Sequence, residues 1–251
     1  MELMMKGLRN SSLLYISLVI GVSCQSKQQI TAPVPTIDST LQTNATAILE
    51  SKLSEINAQS GQAIVMEVQT GQIKALVGLT RKDSTNYQPC ENFSVWQSTG
   101  LMHPISLLAA LETGKVKLSD KVDTGNGIYQ IHGRELKDHN WHRGGYGELT
   151  VQEGLATSSN IAIYKTMEKA FANNPQSYFD LLANMSYGKP DSITGIANLK
   201  HFVTPKDNNW AKSDFAWSSI GYNQQISPIQ VLIFYNAIAN NGKMIQPQLY
   251  K

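Results

Sequence analysis

The 251-residue sequence predicts an α+β domain with helices packed on an antiparallel sheet, and three observations lead there. Apolar residues in 41–56 recur at helical steps, two β-rich runs joined by a Gly-containing turn follow at once, and the later periodic stretches are helical with long irregular segments between them. Elements segregated in this order argue against an alternating α/β architecture. The sequence shows no internal repeat.

Taken in order, Leu41, Ala45, Ile48, Leu49, Leu53 and Ile56 stand three or four residues apart where the series is tightest and share one helical face. Asp38 or Ser39 can cap that helix. Residues 63–68 and 73–77 are apolar and β-rich, and Gln69-Thr70-Gly71-Gln72 between them makes a hairpin with Gly at the turn. Further helices are expected over residues 105–112, 151–170 and 228–240.

A formal net charge of +2 argues against an electrostatic nucleic-acid binder. Hydrophobic residues at 41% allow a full core, while 18 Gly, 9 Pro and 2 Cys exclude collagen-like and disulfide-scaffold classes. Charged residues make up 16%, below the usual value of about 25%. With 18 Asn and 18 Gln the surface leans on neutral amides, which suits an exported protein.

The start of the chain reads as an address. Lys6 and Arg9 precede a ten-residue apolar run, residues 13–22, followed by small Ser23 and Cys24, so residues 1–23 form a secretory signal. The run is shorter than the roughly 20 residues a spanning helix needs. Gly21-Val22-Ser23-Cys24 resembles a bacterial lipoprotein processing site, departing from it at Gly21, where Leu is usual. On that reading Cys24 is lipidated and anchors the protein to a membrane; a plain cleaved signal and an uncleaved anchor are the alternatives. Residues 24–35 are polar, carry Pro33 and Pro35, and suit an extended tether ahead of a domain spanning 36–251. Cys90 is then a lone cysteine, expected as a small half-buried hydrophobe.

Several segments carry a resemblance. Thr36-Ile37-Asp38, Leu41-Gln42, Gly61 and the Thr70-Gly71 turn come first, followed by residues 96–120, from Trp96 to Asp120. Glu148-Leu149-Thr150-Val151 leads into Thr157-Ser158-Ser159-Asn160-Ile161-Ala162. Later come residues 185–190, Thr194-Gly195-Ile196, Ile220-Gly221-Tyr222, Ile226-Ser227-Pro228 and Asn240-Asn241-Gly242. In this order they resemble the transpeptidase domain of class B penicillin-binding proteins, a β-lactamase/transpeptidase-like fold. The chemistry of that family rests on S-x-x-K, S-x-N and K-T-G or K-S-G. Positions i and i+3 share a helix face, so the Lys of the first motif can take the Ser proton.

Anchored on Pro104 and Leu107-Leu108-Ala109-Ala110-Leu111, the resemblance puts Gly100 in the nucleophile position and His103 in that of the Lys. A shifted register does not restore the motif, since Ser98 is followed at i+3 by Leu101 and Thr99 by Met102. Thr166-x-x-Lys169 and Ser186-x-x-Lys189 lie beyond the second motif, in the wrong order. A His can serve as a general base near neutral pH, but on this reading His103 has no nucleophile beside it except a water. The second motif is retained as Ser158-Ser159-Asn160. No Lys-Thr-Gly or Lys-Ser-Gly follows Asn160, so the resemblance implies that the C-terminal strands are missing, the sheet incomplete and the hairpin edge open.

His132, His139 and His142 beside Asp138 are a candidate zinc set. They fall in a loop rich in Gly133, Gly144, Gly145 and Gly147 and not on a helix face, which favours a polar loop with Asp138 and Asn140 making turn hydrogen bonds.

The resemblance implies a cell-envelope protein of peptidoglycan biogenesis, catalytically inactive, with no cofactor, no nucleic acid and at most non-covalent binding of a peptidoglycan stem peptide or β-lactam. A cell-wall protein is the other implied partner. The alternatives are a working D,D-transpeptidase whose remaining parts are lost by truncation or frameshift, and a small periplasmic metal-binding module.

Overall fold

In the computed structural model, which describes residues 33–90, 99–188, 203–224 and 226–251, the first helix is α1 (Ser39–Glu55). Asp38 starts it, its carboxylate accepting the Leu41 N–H at 2.8 Å. The expected apolar stripe is only half used. Leu53 is buried and Ala45 and Leu49 pack beside it, whereas Leu41, Ile48 and Ile56 are exposed, because α1 rests by one face on the strands at 60–66 and 73–81, with nothing on its far side among the described residues. Gln42 fastens it there, donating to Leu76 O at 2.9 Å and accepting the Leu76 N–H at 2.8 Å.

Strands β1 (Ser60–Met66), β2 (Ile73–Arg81) and β3 (Tyr87–Pro89) form an antiparallel sheet in the order β1-β2-β3. Ala63 faces Val77 in the hairpin register, and a bulge falls at Val65/Met66. Strand β2 alternates as a half-buried strand should, with Ile73, Ala75, Val77 and Leu79 inward. The turn needs its glycine, since Gly71 has φ +75° and a Cβ there would lie 2.4 Å from Gln246 O. Val34 and Pro35, at the end of the expected tether, pair with Lys251 and Tyr250, and the buried Thr36 hydroxyl bonds Ile73 O and Gln248 O at 2.8 and 2.9 Å. Among the described residues β1 is one edge of this sheet.

A one-turn 3-10 helix, Thr99–Leu101, leads into α2 (Met102–Glu112). Pro104 is tolerated there because first-turn N–H groups have no partner within the helix. Two ribbons invisible to hydrophobic periodicity follow: β5 (Ile128–Ile131) with β6 (Arg134–Lys137), nested between β4 (Lys121–Asp123) and its partner β7 (Glu148–Thr150).

The single helix expected over 151–170 is two: α3 (Val151–Ala156) and α4 (Asn160–Phe171). The break falls at Thr157-Ser158-Ser159, where hydroxyls compete for the backbone. Ser158 turns left-handed at φ +54°, and Ser159 becomes the N-cap of α4, its Oγ accepting the Ala162 N–H at 3.0 Å. Helices α5 (Gln176–Asn184) and α6 (Asp214–Ser219), both unforeseen, and α7 (Pro228–Ala239), started by a Ser227/Gln230 capping box, complete the described elements.

The main core joins α2, α4, α5, α6 and α7 through fully buried Met102, Ile105, Ile161, Met167, Tyr178 and Ile220, with Phe234 beside them. Ser106 ties three of these helices, its Oγ 2.8 Å from Tyr178 Oη and donating to Ser219 O at 2.7 Å. Cys90 is half-buried, as expected. No helix among the described residues is long and apolar enough to cross a membrane. The signal, Cys24, Trp96, Ser98, Lys189 and Thr194-Gly195-Ile196 lie outside the described residues.

Helices α3 and α4 meet where Gly154 faces Ala162; a Cβ on Gly154 would stand 2.5 Å from Ala162 Cβ. Gly154→Ala should therefore cost about 1–3 kcal/mol in urea unfolding through overpacking. A loss below about 0.5 kcal/mol would show that α3 yields freely.

Candidate functional site

The site lies where the start of α2, the α3–α4 turn and the segment after β6 converge. The turn is held from behind. Asp138, completely buried, accepts from Ser159 Oγ at 2.8 Å with one carboxylate oxygen and from the Ile161 N–H at 3.0 Å with the other. An anion hydrogen-bonded at a helix N-terminus is favourably placed, because free N–H groups and the helix dipole both point at it. Beside it, Asn160 Nδ2 donates to Lys137 O at 2.9 Å. Residues 137 and 138 thus grip 159–161 and leave Ser158, exposed and left-handed, projecting from the turn.

Ser158 Oγ lies 3.2 Å from His103 Nδ1. His103 comes from the first turn of α2, is only 2% exposed, and its Nε2 is buried without a hydrogen-bond partner. Burial pushes its pKa from the ordinary 6.5 down to about 4, with the Asn160 side chain opposing the fall. The ring is neutral at pH 7. Either tautomer leaves Nε2 unsatisfied.

Gly100 faces the same point. Among the described residues, and apart from its chain neighbours, a Cβ built on it would meet only Ser158 Oγ, at 3.6 Å. The four residues singled out in the sequence therefore fall into two kinds: Gly100, His103 and Ser158 meet, while Asn160 stands beside them with its amide turned to Lys137. His103, expected to have only a water beside it, has the Ser158 hydroxyl as a neighbour, brought from 55 residues away in sequence, a proximity that local spacing does not encode. Asp138, expected in a turn or a zinc set, instead anchors the start of α4. The only local sign of it is a serine able to cap a helix at position 159, and which carboxylate that serine meets is decided by the fold.

The histidine loop is dispersed. His132 sits in the β5–β6 turn, His139 Nε2 is 3.0 Å from Tyr146 Oη, and His142 packs edge-on to Trp141. Both oxygens of Asp138 are engaged inward. Among the described residues no group of three or more His, Cys, Asp or Glu is placed to hold a metal ion. Thr166 is buried and bonds Ala162 O, and Lys169 pairs with Asp120, so that pair offers no nucleophile and base.

A family model, the penicillin binding protein transpeptidase domain, matches residues 61–251. The chain is 26% identical over 220 residues to the peptidoglycan D,D-transpeptidase FtsI of Escherichia coli K12, covering 82% of this chain and 35% of that protein. It is 26% identical over 223 residues to the probable peptidoglycan D,D-transpeptidase PbpC of Pseudomonas aeruginosa, covering 86% and 38%. The apo structure of the TP domain of Burkholderia pseudomallei penicillin-binding protein 3 superposes with a TM-score of 0.70 at 25% identity, covering 87% of this chain and 61% of that one. The chain spans about a third of the length of these curated relatives.

The depressed pKa of His103 links the site to stability. Between pH 6.5 and about 4 the unfolded chain binds a proton at this residue that the native state does not, so its contribution is full above pH 6.5 and falls as pH drops through that window. From pH 7 to pH 5 the native protein should lose about 2 kcal/mol more than His103→Gln, compared by urea unfolding at both values. Parallel losses would show that the imidazole is not held neutral by the fold.

Proposed function

Because the chain belongs to the penicillin-binding protein transpeptidase family, we propose that it acts at the cell envelope by binding a peptidoglycan stem peptide or β-lactam in the cleft beside α2, without transpeptidation. One observation carries this reading. Residue 100, where the family resemblance puts the nucleophile, is a glycine whose missing Cβ faces the retained Ser158 hydroxyl. The cleft keeps its second-motif turn but has no hydroxyl at that position to form the acyl-enzyme.

The neighbouring base supports the same reading. A lysine at position 103 would bring a positive charge beside Ser158; burial keeps the histidine found there neutral. A ligand seated for attack from residue 100 is bound and released unchanged. On this reading the N-terminal signal and a lipidated Cys24 hold the protein at a membrane surface, with the polar stretch ahead of Val34 as spacer.

Two measurements test this. Excess penicillin and a soluble stem peptide ending in two D-residues, the class that the name D,D-transpeptidase denotes for the relatives, should both bind reversibly in calorimetry and leave the intact mass unchanged. A stoichiometric penicillin adduct, cross-linked peptide product or absence of binding would overturn the reading. Cys24→Ala should move the protein from the membrane to the soluble fraction or leave an unprocessed precursor; unchanged fractionation and mobility would remove the lipid anchor.

A further inference from the structure

We propose that Ser158 and His103 form a serine–imidazole pair in which Ser158 itself accepts the acyl group of small activated esters. A nucleophile and base need to lie within about 2.6–3.2 Å of each other, and Ser158 Oγ and His103 Nδ1 are 3.2 Å apart. The serine is exposed and its backbone is left-handed at φ +54°, a conformation that costs energy for a non-glycine residue and collects at functional turns. The turn is fixed from behind by Asp138 through Ser159 and Ile161, and the base is fixed on the buried first turn of α2.

Gly100 supplies the entrance. The space its side chain would occupy borders Ser158 Oγ at 3.6 Å, with no other atom of the described residues beyond its chain neighbours within 4 Å, so no side chain from residue 100 covers the hydroxyl on that side.

In the step, Ser158 Oγ bonds to the ester carbonyl carbon while its proton passes to His103 Nδ1. Collapse of the tetrahedral intermediate breaks the bond to the aryloxide, which leaves and takes up that proton, from His103 or through solvent. A water then attacks the acyl-serine, giving its proton to His103 Nδ1, and the carboxylic acid departs as Ser158 regains its proton. The reaction is a hydrolysis, balanced by one water. Burial makes the imidazole a weak base and the imidazolium costly, which confines the pair to acyl donors with stable leaving groups and excludes peptide bonds.

The test uses the full chain with p-nitrophenyl acetate, following phenolate release by stopped flow and locating the acetyl group by intact mass and peptide mapping. A burst with one acetyl on Ser158 is expected; Ser158→Ala abolishes it, and His103→Gln slows it by about 10²-fold. Ser158→Cys keeps a folded turn and a nucleophile and should retain the burst, which guards against a folding defect in the alanine variant. No burst, acetylation only at lysines or other serines, or an undiminished burst in Ser158→Ala would overturn the proposal. Its failure leaves reversible penicillin binding untouched, and absence of penicillin binding leaves the burst untouched.

Discussion

Everything at the cleft depends on one buried carboxylate. Asp138 is withdrawn from water and accepts two hydrogen bonds at the N-terminus of α4, from Ser159 Oγ and the Ile161 N–H. A buried charge left uncompensated costs several kcal/mol, so these bonds and the helix dipole are what permit it to be there at all. Their geometry in turn ends α3, starts α4 and forces Ser158 into a left-handed conformation between them. Were residues 151–170 one helix, Ser158 would lie on its side and not at an apex.

The opposite wall is set by packing. Helix α2 is buried along most of its length, and Ser106 fastens it to α5 and α6 by hydrogen bonds that no water can replace in a closed core. Gly154 lets α3 approach Ala162 closely enough to bring the turn against α2. The 3.2 Å separation of His103 and Ser158 is thus the meeting of two independently fixed elements, and rigid elements hold such a distance better than loops do.

Gly100 and His103 make physical sense as a pair. With no hydroxyl at position 100 to activate, a cation at 103 would carry a desolvation cost without a chemical return, and an imidazole evades that cost by staying neutral. What remains is a site with no side chain at position 100, an exposed serine at the turn and a neutral imidazole behind it. The proposed reversible binding and the proposed acyl transfer to Ser158 both rest on that combination.

Read locally, the sequence already specifies the capped helix α1, the β1–β2 hairpin with Gly71 at its turn, α2, α7, and the segment Ser158-Ser159-Asn160, because each is written in local periodicity, caps or a contiguous motif. It also determined that position 100 lacks a side chain. Long-range packing is what breaks 151–170 in two, pairs β4 with β7 around the β5–β6 ribbon, leaves half the apolar face of α1 exposed and brings His103 to Ser158. The reason is the range of the forces involved. A helix break inside a continuous periodic pattern is set by a carboxylate about twenty residues upstream, and the pairing of three-residue strands or of a histidine with a distant serine is settled by which surfaces close over one core, information that no local window contains.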